Sequence, residues 1–151
     1  MQIYDQIKNT IGKLKPEQGG VLGGKNNVIT DFFHDMRLFP ELNIYKPNIE
    51  VINSELIKWQ KNNVGFIGVI HSHPDGNLLL SYADKIYAQK LMKSNNINQM
   101  IMFIAQSTYD SPKFLIKPFI TSKGNNYVSY EEINIKVEEG GWKHEIYKYK
   151  Y

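Results

Sequence analysis

The chain of 151 residues has no cysteine. Disulfide staples, thiolate zinc fingers and cysteine nucleophiles are therefore excluded, and any transition-metal site must be built from histidine and carboxylate. No window approaches the roughly 18 apolar residues of a membrane-spanning helix. The opening Met-Gln-Ile-Tyr-Asp also lacks the basic stretch and long apolar run of a secretory signal. The expectation is a soluble, cytoplasmic protein with no membrane partner. No block of five or more Lys/Arg occurs, and the 18 basic and 15 acidic residues are scattered. The net charge of +3 thus reads as a Lys-rich solvated surface and gives no support for a nucleic-acid partner. The His-Glu-x-x-His metalloprotease helix is absent, and so are internal repeats and linkers.

What is present is a globular composition, 42% apolar and 22% charged, over a length suited to one domain spanning 1–151. Ile3, Ile7, Ile11 and Leu14 recur on one helical face, which predicts a helix over 2–14 ended by Pro16. Glycine-bracketed Val21 and Leu22, followed by the β-formers of 27–33, predict two strands joined by a turn around Lys25-Asn26. Ile49, Ile52, Leu56 and Trp59 predict a helix over 48–60, after a segment broken by Pro40 and Pro47. Residues 64–70 are apolar or glycine throughout, as in a strand buried on both faces, and place that strand at the centre of the sheet. A helix over 81–93 and strands over 100–105 and 114–120 complete the alternation. The expected fold is a three-layer α/β domain with a mixed, curved sheet flanked by helices. The stretch 122–151, rich in Tyr, Glu and Lys, reads as a β-ribbon or as partly ordered chain and carries no motif.

The chemistry concentrates where the central strand ends. On an extended backbone His71 and His73 point to the same side, because side chains alternate with period two. Pro74 then stops the strand. Asp84 lies in the first turn of the next helix and leans toward its half-buried side, where a carboxylate needs a partner. Two imidazole nitrogens and one carboxylate oxygen make a three-ligand zinc site with the fourth position open to water. Ser81-Tyr82-Ala83-Asp84 also fits a variant capping box with Ser81 as N-cap, a reading compatible with metal binding. Neither His34 nor His144 has a second ligand at useful spacing, and both read as structural or solvent-exposed. Leu78, Leu79 and Leu80 lie on a loop between the ligands, where they read as tucked into the core, with contact to a substrate as the alternative.

His71-x-His73-Pro74, with seven residues to Ser81 and two more to Asp84, resembles the JAMM motif of the JAB/MPN zinc metalloprotease family. The resemblance covers roughly residues 1–120 and implies a compact, prokaryotic-type member with a fold also like that of cytidine deaminases. It implies Zn2+ held by His71, His73 and Asp84. It also implies an upstream glutamate before a glycine-flanked strand, a description that Glu17 meets, acting as general base and then acid. Glu41, Glu50 and Glu55 lack that context. Ser81 would donate its hydroxyl to the oxyanion. The implied activity is hydrolysis of a peptide or isopeptide bond at the C-terminus of a ubiquitin-like or sulfur-carrier protein, or of a small peptide conjugate. The long insertion of the eukaryotic ubiquitin-chain enzymes has no counterpart, since 106–112 is a short turn.

Two other readings compete. A non-catalytic scaffold of the same family usually lacks motif residues, and this chain keeps them. A branch linked to DNA repair carries a similar His-x-His-Pro stretch, but no helix-hairpin-helix signal or basic patch accompanies it here. Zinc nucleobase deamination needs a Pro-Cys-x-x-Cys segment that a cysteine-free chain cannot have.

Overall fold

In a computed structural model of the chain, residues 3–14, 17–26, 28–36, 45–73, 77–106, 114–124, 128–138 and 141–145 are described. Their elements run α1 (Ile3–Asn9), β1 (Gly19–Lys25), β2 (Val28–Asp35), α2 (Ile49–Lys61), β3 (Gly65–His73), α3 (Tyr82–Ser94), β4 (Gln99–Gln106), β5 (Leu115–Lys123), β6 (Val128–Glu132), β7 (Asn134–Glu138) and β8 (Gly141–Glu145).

Local chemistry sets most of these boundaries. Asn48 caps α2 by accepting from the Val51 amide, and Ser81 caps α3. Both helices end on asparagines, with Asn63 and Asn96 in the left-handed region at φ 60° and 52°, a conformation asparagine tolerates better than most residues. Asn26 takes the same conformation in the turn between β1 and β2. The first helix is shorter than its apolar spacing predicts. Thr10 turns its hydroxyl back onto the Gln6 carbonyl at 2.7 Å, and the Gly12 amide reaches the Ile7 carbonyl at 3.1 Å, so regular pairing stops at Asn9. Ile11 is nevertheless fully buried while Leu14 is 45% exposed, so a turn delivers the third apolar residue where a helix was expected.

The strands form one mixed sheet of order β6-β5-β4-β3-β1-β2-β8-β7. Only β3 and β4 run parallel; every other neighbouring pair is antiparallel. The stretch beyond Ser122 supplies three strands, one at the β5 edge and a β7–β8 ribbon joined through β8 to β2. As expected, β3 is central. Its burial is uneven, however: Gly65 is exposed and full cover begins at Gly68.

One face of the sheet packs Leu22, Ile29, Ile70 and Phe103 against Ile3, Ile7 and Ile11 from the α1 end. The other packs Val21, Val69, Met102 and Ile104 against Ile52 and Trp59 of α2 and Ala88 and Met92 of α3. The result is three layers, with each fully buried aliphatic side chain contributing about 1.5–3 kcal/mol. Gly23 lets α2 approach, because a Cβ there would come within 2.6 Å of the Trp59 ring.

A bulge decides which face carries the histidines. Leu22 pairs with Gly68 but Gly23 pairs with Phe66, leaving Ile67 as an extra residue on β3. Beyond it, strand alternation puts Val69, and with it His71 and His73, on the α2–α3 face.

Candidate metal centre and catalytic cavity

At the end of β3, His71 Nε2 lies 3.0 Å from Asp84 Oδ1, and His73 Nε2 lies 3.2 Å from Asp84 Oδ2. The two Nε2 atoms are 3.0 Å apart. All three side chains are nearly buried, at 9%, 10% and 12% exposure. The strand brings the two rings to one side as the spacing predicts, and α3 crosses that face with Asp84 in its first turn.

Two of the three are fixed by neighbours outside the trio. His73 Nδ1 sits 2.9 Å from the Asn77 carbonyl oxygen. A carbonyl only accepts, so Nδ1 carries a proton; Nε2 then donates to Asp84 when the ring is protonated and offers its lone pair to a metal when the ring is neutral. Asp84 completes a reciprocal capping box: its Oδ2 accepts from the Ser81 amide at 2.7 Å, and its own amide donates to Ser81 Oγ at 3.2 Å. The box pins the carboxylate against the imidazoles, so the capping and ligand readings of this segment coincide.

The titration shifts agree with that geometry. For Asp84, burial alone would raise the pKa. The hydrogen bonds from His71 and His73, the charge of His71 and the bond from Ser81 outweigh it and hold the carboxyl well below the usual carboxylate range. Burial likewise works to lower His73, but Asp84, the Asn77 carbonyl and the charge of Glu17 together raise it.

These groups open into a cavity of about 520 Å³ whose walls include Glu17, Tyr45, Ser81 and Tyr87 besides the three candidate ligands. Every residue proposed from sequence for the site thus lines one space. Among the other glutamates considered, Glu50 is exposed on α2, Glu55 pairs with Lys58 at 2.9 Å, and Glu41 lies outside the described residues. His34 stands apart: its Nε2 donates to Gln18 Oε1 at 3.1 Å, and burial lowers its pKa against the opposing charge of Asp35. The His144 side chain lies outside the described residues. Leu80 is buried, Leu78 is packed against the α2–α3 core, and Leu79 is 59% exposed, a departure from the expectation that all three are tucked in.

The site has members that sequence reasoning did not reach. Ser72, between the two histidines, is buried on the opposite face and binds the chain next to Glu17. Its amide donates to the Gln18 carbonyl at 2.8 Å, and its Oγ accepts from the Gln18 amide at 2.9 Å. Asp35, 2% exposed at the end of β2, accepts from the Tyr45 hydroxyl at 2.9 Å and from the Asn48 amide at 2.8 Å. Tyr87 is pushed up to about 12 by burial and by the charge of Asp35, so it faces the cavity as a protonated phenol. A carboxylate closing a strand of β-formers was the one available signal for Asp35; its partners lie 10 and 13 residues on.

Two imidazoles and a carboxylate, with their nitrogens facing one another, are a donor set suited to a divalent transition metal. In a tetrahedral zinc site, ligand atoms sit about 3.3 Å apart, close to the spacings found here. No protein-family model matches the chain, and no curated protein matches it. Among solved structures it is similar to a structural-genomics target protein from Desulfitobacterium hafniense, determined in solution. The TM-score is 0.61 and the identity 22%, over 91% of this chain and 90% of that one. At that identity the likeness bears on the fold alone. No helix among the described residues is long and apolar enough to cross a membrane.

Proposed function

We propose that this chain is a zinc-dependent hydrolase of peptide or isopeptide bonds, of the JAMM type that its motif resembles. The observation that carries the reading is the meeting of His71, His73 and Asp84 in a cavity that Glu17 and Ser81 also line. His71, His73 and Asp84 would hold the ion. Zinc so held lowers the pKa of water toward ~7 and polarises a carbonyl as a Lewis acid.

The remaining work falls to the protein. Glu17 takes a proton from the attacking water and delivers it to the amine nitrogen as the C–N bond breaks, leaving a free carboxylate and a free amine. Proton transfer of this kind contributes roughly 10² to 10⁴ in rate. Ser81, whose Oγ accepts from the Asp84 amide, would donate its hydroxyl hydrogen to the developing oxyanion, a role in which a single donor is worth about 3 kcal/mol. The substrates proposed are the C-terminal tail of a ubiquitin-like or sulfur-carrier protein, or a small peptide conjugate. The compartment proposed is the cytoplasm, on the sequence grounds already given.

Elemental analysis of protein purified without chelator should find about one zinc per chain, lost in the His71→Ala, His73→Ala double variant. Zinc kept in full by that variant would remove the assignment. The Glu17→Gln protein, loaded with zinc and used as bait for ubiquitin-like C-terminal tails, would identify the substrate.

A further inference from the structure

Across β3, β1 and β2, one row of paired residues reads His71, Gly19, Asp35. Directly paired residues of neighbouring strands face the same side of a sheet, so the histidine ligand and the buried carboxylate flank a glycine on the cavity face. The gap above Gly19 is filled. A Cβ built there would overlap the Tyr45 ring, which therefore lies flat on the glycine backbone. The Tyr45 hydroxyl ends on Asp35, and the same Asp35 oxygen takes the Asn48 amide, so one carboxylate grips the returning chain at two points. The Tyr45 amide donates to Glu17 Oε2 at 3.0 Å.

We propose that Asp35 and Tyr45 form a strap that positions Glu17, with Asp35 holding the Tyr45 ring across Gly19 so that the Tyr45 N–H fixes the Glu17 carboxylate in the cavity. The strap rests on the reading of Glu17 as the proton carrier. Asp35 and Tyr45 act through Glu17 as positioning residues. The carboxylate of Asp35 is suited to this because it is buried and accepts both bonds on one oxygen, which leaves the Tyr45 side chain little freedom.

The test compares Tyr45→Phe, Asp35→Ala and Asp35→Asn with the wild type. Tyr45→Phe keeps the ring on Gly19 and removes only the hydroxyl, so it carries the test should Asp35→Ala fail to fold. The first readout needs no activity: hydrogen exchange of the Tyr45 amide (for Tyr45→Phe, of the amide at the same position) should quicken by about 10-fold or more in Tyr45→Phe and Asp35→Ala. It should stay near the wild-type rate in Asp35→Asn, which retains an acceptor oxygen. The second readout is turnover of a coumarin amide at the C-terminus of a ubiquitin-like protein. Here kcat should fall about 10-fold or more with KM little changed, and Tyr45→Phe should add no loss in a Glu17→Gln background. Unchanged amide exchange in Tyr45→Phe overturns the strap. So do equal losses of turnover with and without Glu17. A wild type inactive on every amide conjugate would instead count against the proposed function, and amide exchange would still decide the strap.

Discussion

Replacing Asp84 with asparagine separates a metal ligand from an ordinary helix cap. The Asp84 carboxylate meets His71, His73 and the Ser81 amide within 3.2 Å, and its side chain is only 12% exposed. Asparagine keeps one acceptor oxygen for Ser81 but loses the charge that faces both imidazoles and the N-terminus of α3. Without metal, the loss of the charge at the helix end, and of its strengthening of the bonds to Ser81 and the imidazoles, should cost about 1–2 kcal/mol. For a chain of this size that is a fall of roughly 2–8 °C in Tm. With zinc at a hundred times its Kd, the wild type should gain about 2.7 kcal/mol, or roughly 5–11 °C. The assay is thermal unfolding of wild type, Asp84→Asn and Glu17→Gln over a zinc titration, beside elemental analysis. Wild type and Glu17→Gln should rise together, because Glu17 is placed outside the ligand set, and Asp84→Asn should not rise. An Asp84→Asn protein that keeps the full zinc-dependent gain would refute the ligand assignment and leave Asp84 as a cap.

Glu17→Gln should lower turnover of an amide-linked ubiquitin-like substrate by roughly 10² or more with metal content unchanged; near-normal turnover would move the base to another glutamate. In metal-free protein the raised pKa of His73 means that its contribution to stability is complete below the ordinary value of 6.5 and fades as pH rises through the folded value. The lowered pKa of Asp84 means that its contribution is present above 3.8 and fades as pH falls through the folded value. The cluster should therefore stabilise the metal-free fold most between those two values. Zinc, which needs His73 neutral, should add a Tm increment that grows from pH 6 to pH 8; an increment that shrinks over that range would contradict the ligand set. Gly19→Ala should cost about 1–3 kcal/mol in denaturant unfolding, because the new methyl meets the Tyr45 ring, and a neutral result would mean that Tyr45 moves freely.

Much of the fold was readable because its signals are local. The Ser81 cap and the apolar spacing of both helices place α2 and α3 to within a residue, and the apolar run before His71 announces the central strand. The failure at α1 is instructive: Ile7 and Ile11 are both fully buried, as helical spacing requires, yet the chain between them leaves the helix, with the Gly12 amide reaching back five residues to the Ile7 carbonyl. Hydrophobic spacing reports which side chains face inward and leaves open whether helix or turn delivers them. The segment beyond Ser122 was legible only as a β-ribbon or partly ordered chain, and its place in the sheet was hidden for a different reason. The β7–β8 ribbon gains its place by pairing with β2, which lies about a hundred residues earlier, so no local pattern could name that partner.

The sequence by itself determined the donor set. The absence of cysteine leaves histidine and carboxylate, and period-two alternation with a helix start one motif later selects His71, His73 and Asp84 whatever the rest of the chain does. Only the tertiary structure decided which face of the sheet those histidines use, through the extra residue at Ile67. Only it brought Glu17 into the same cavity, by pairing β1 with β3, and put Asp35 and Tyr45 behind it. Those relations depend on strand register and on the seating of the Tyr45 ring across a glycine, and such contacts are set by packing between distant segments, which leaves no periodic trace in the residues themselves.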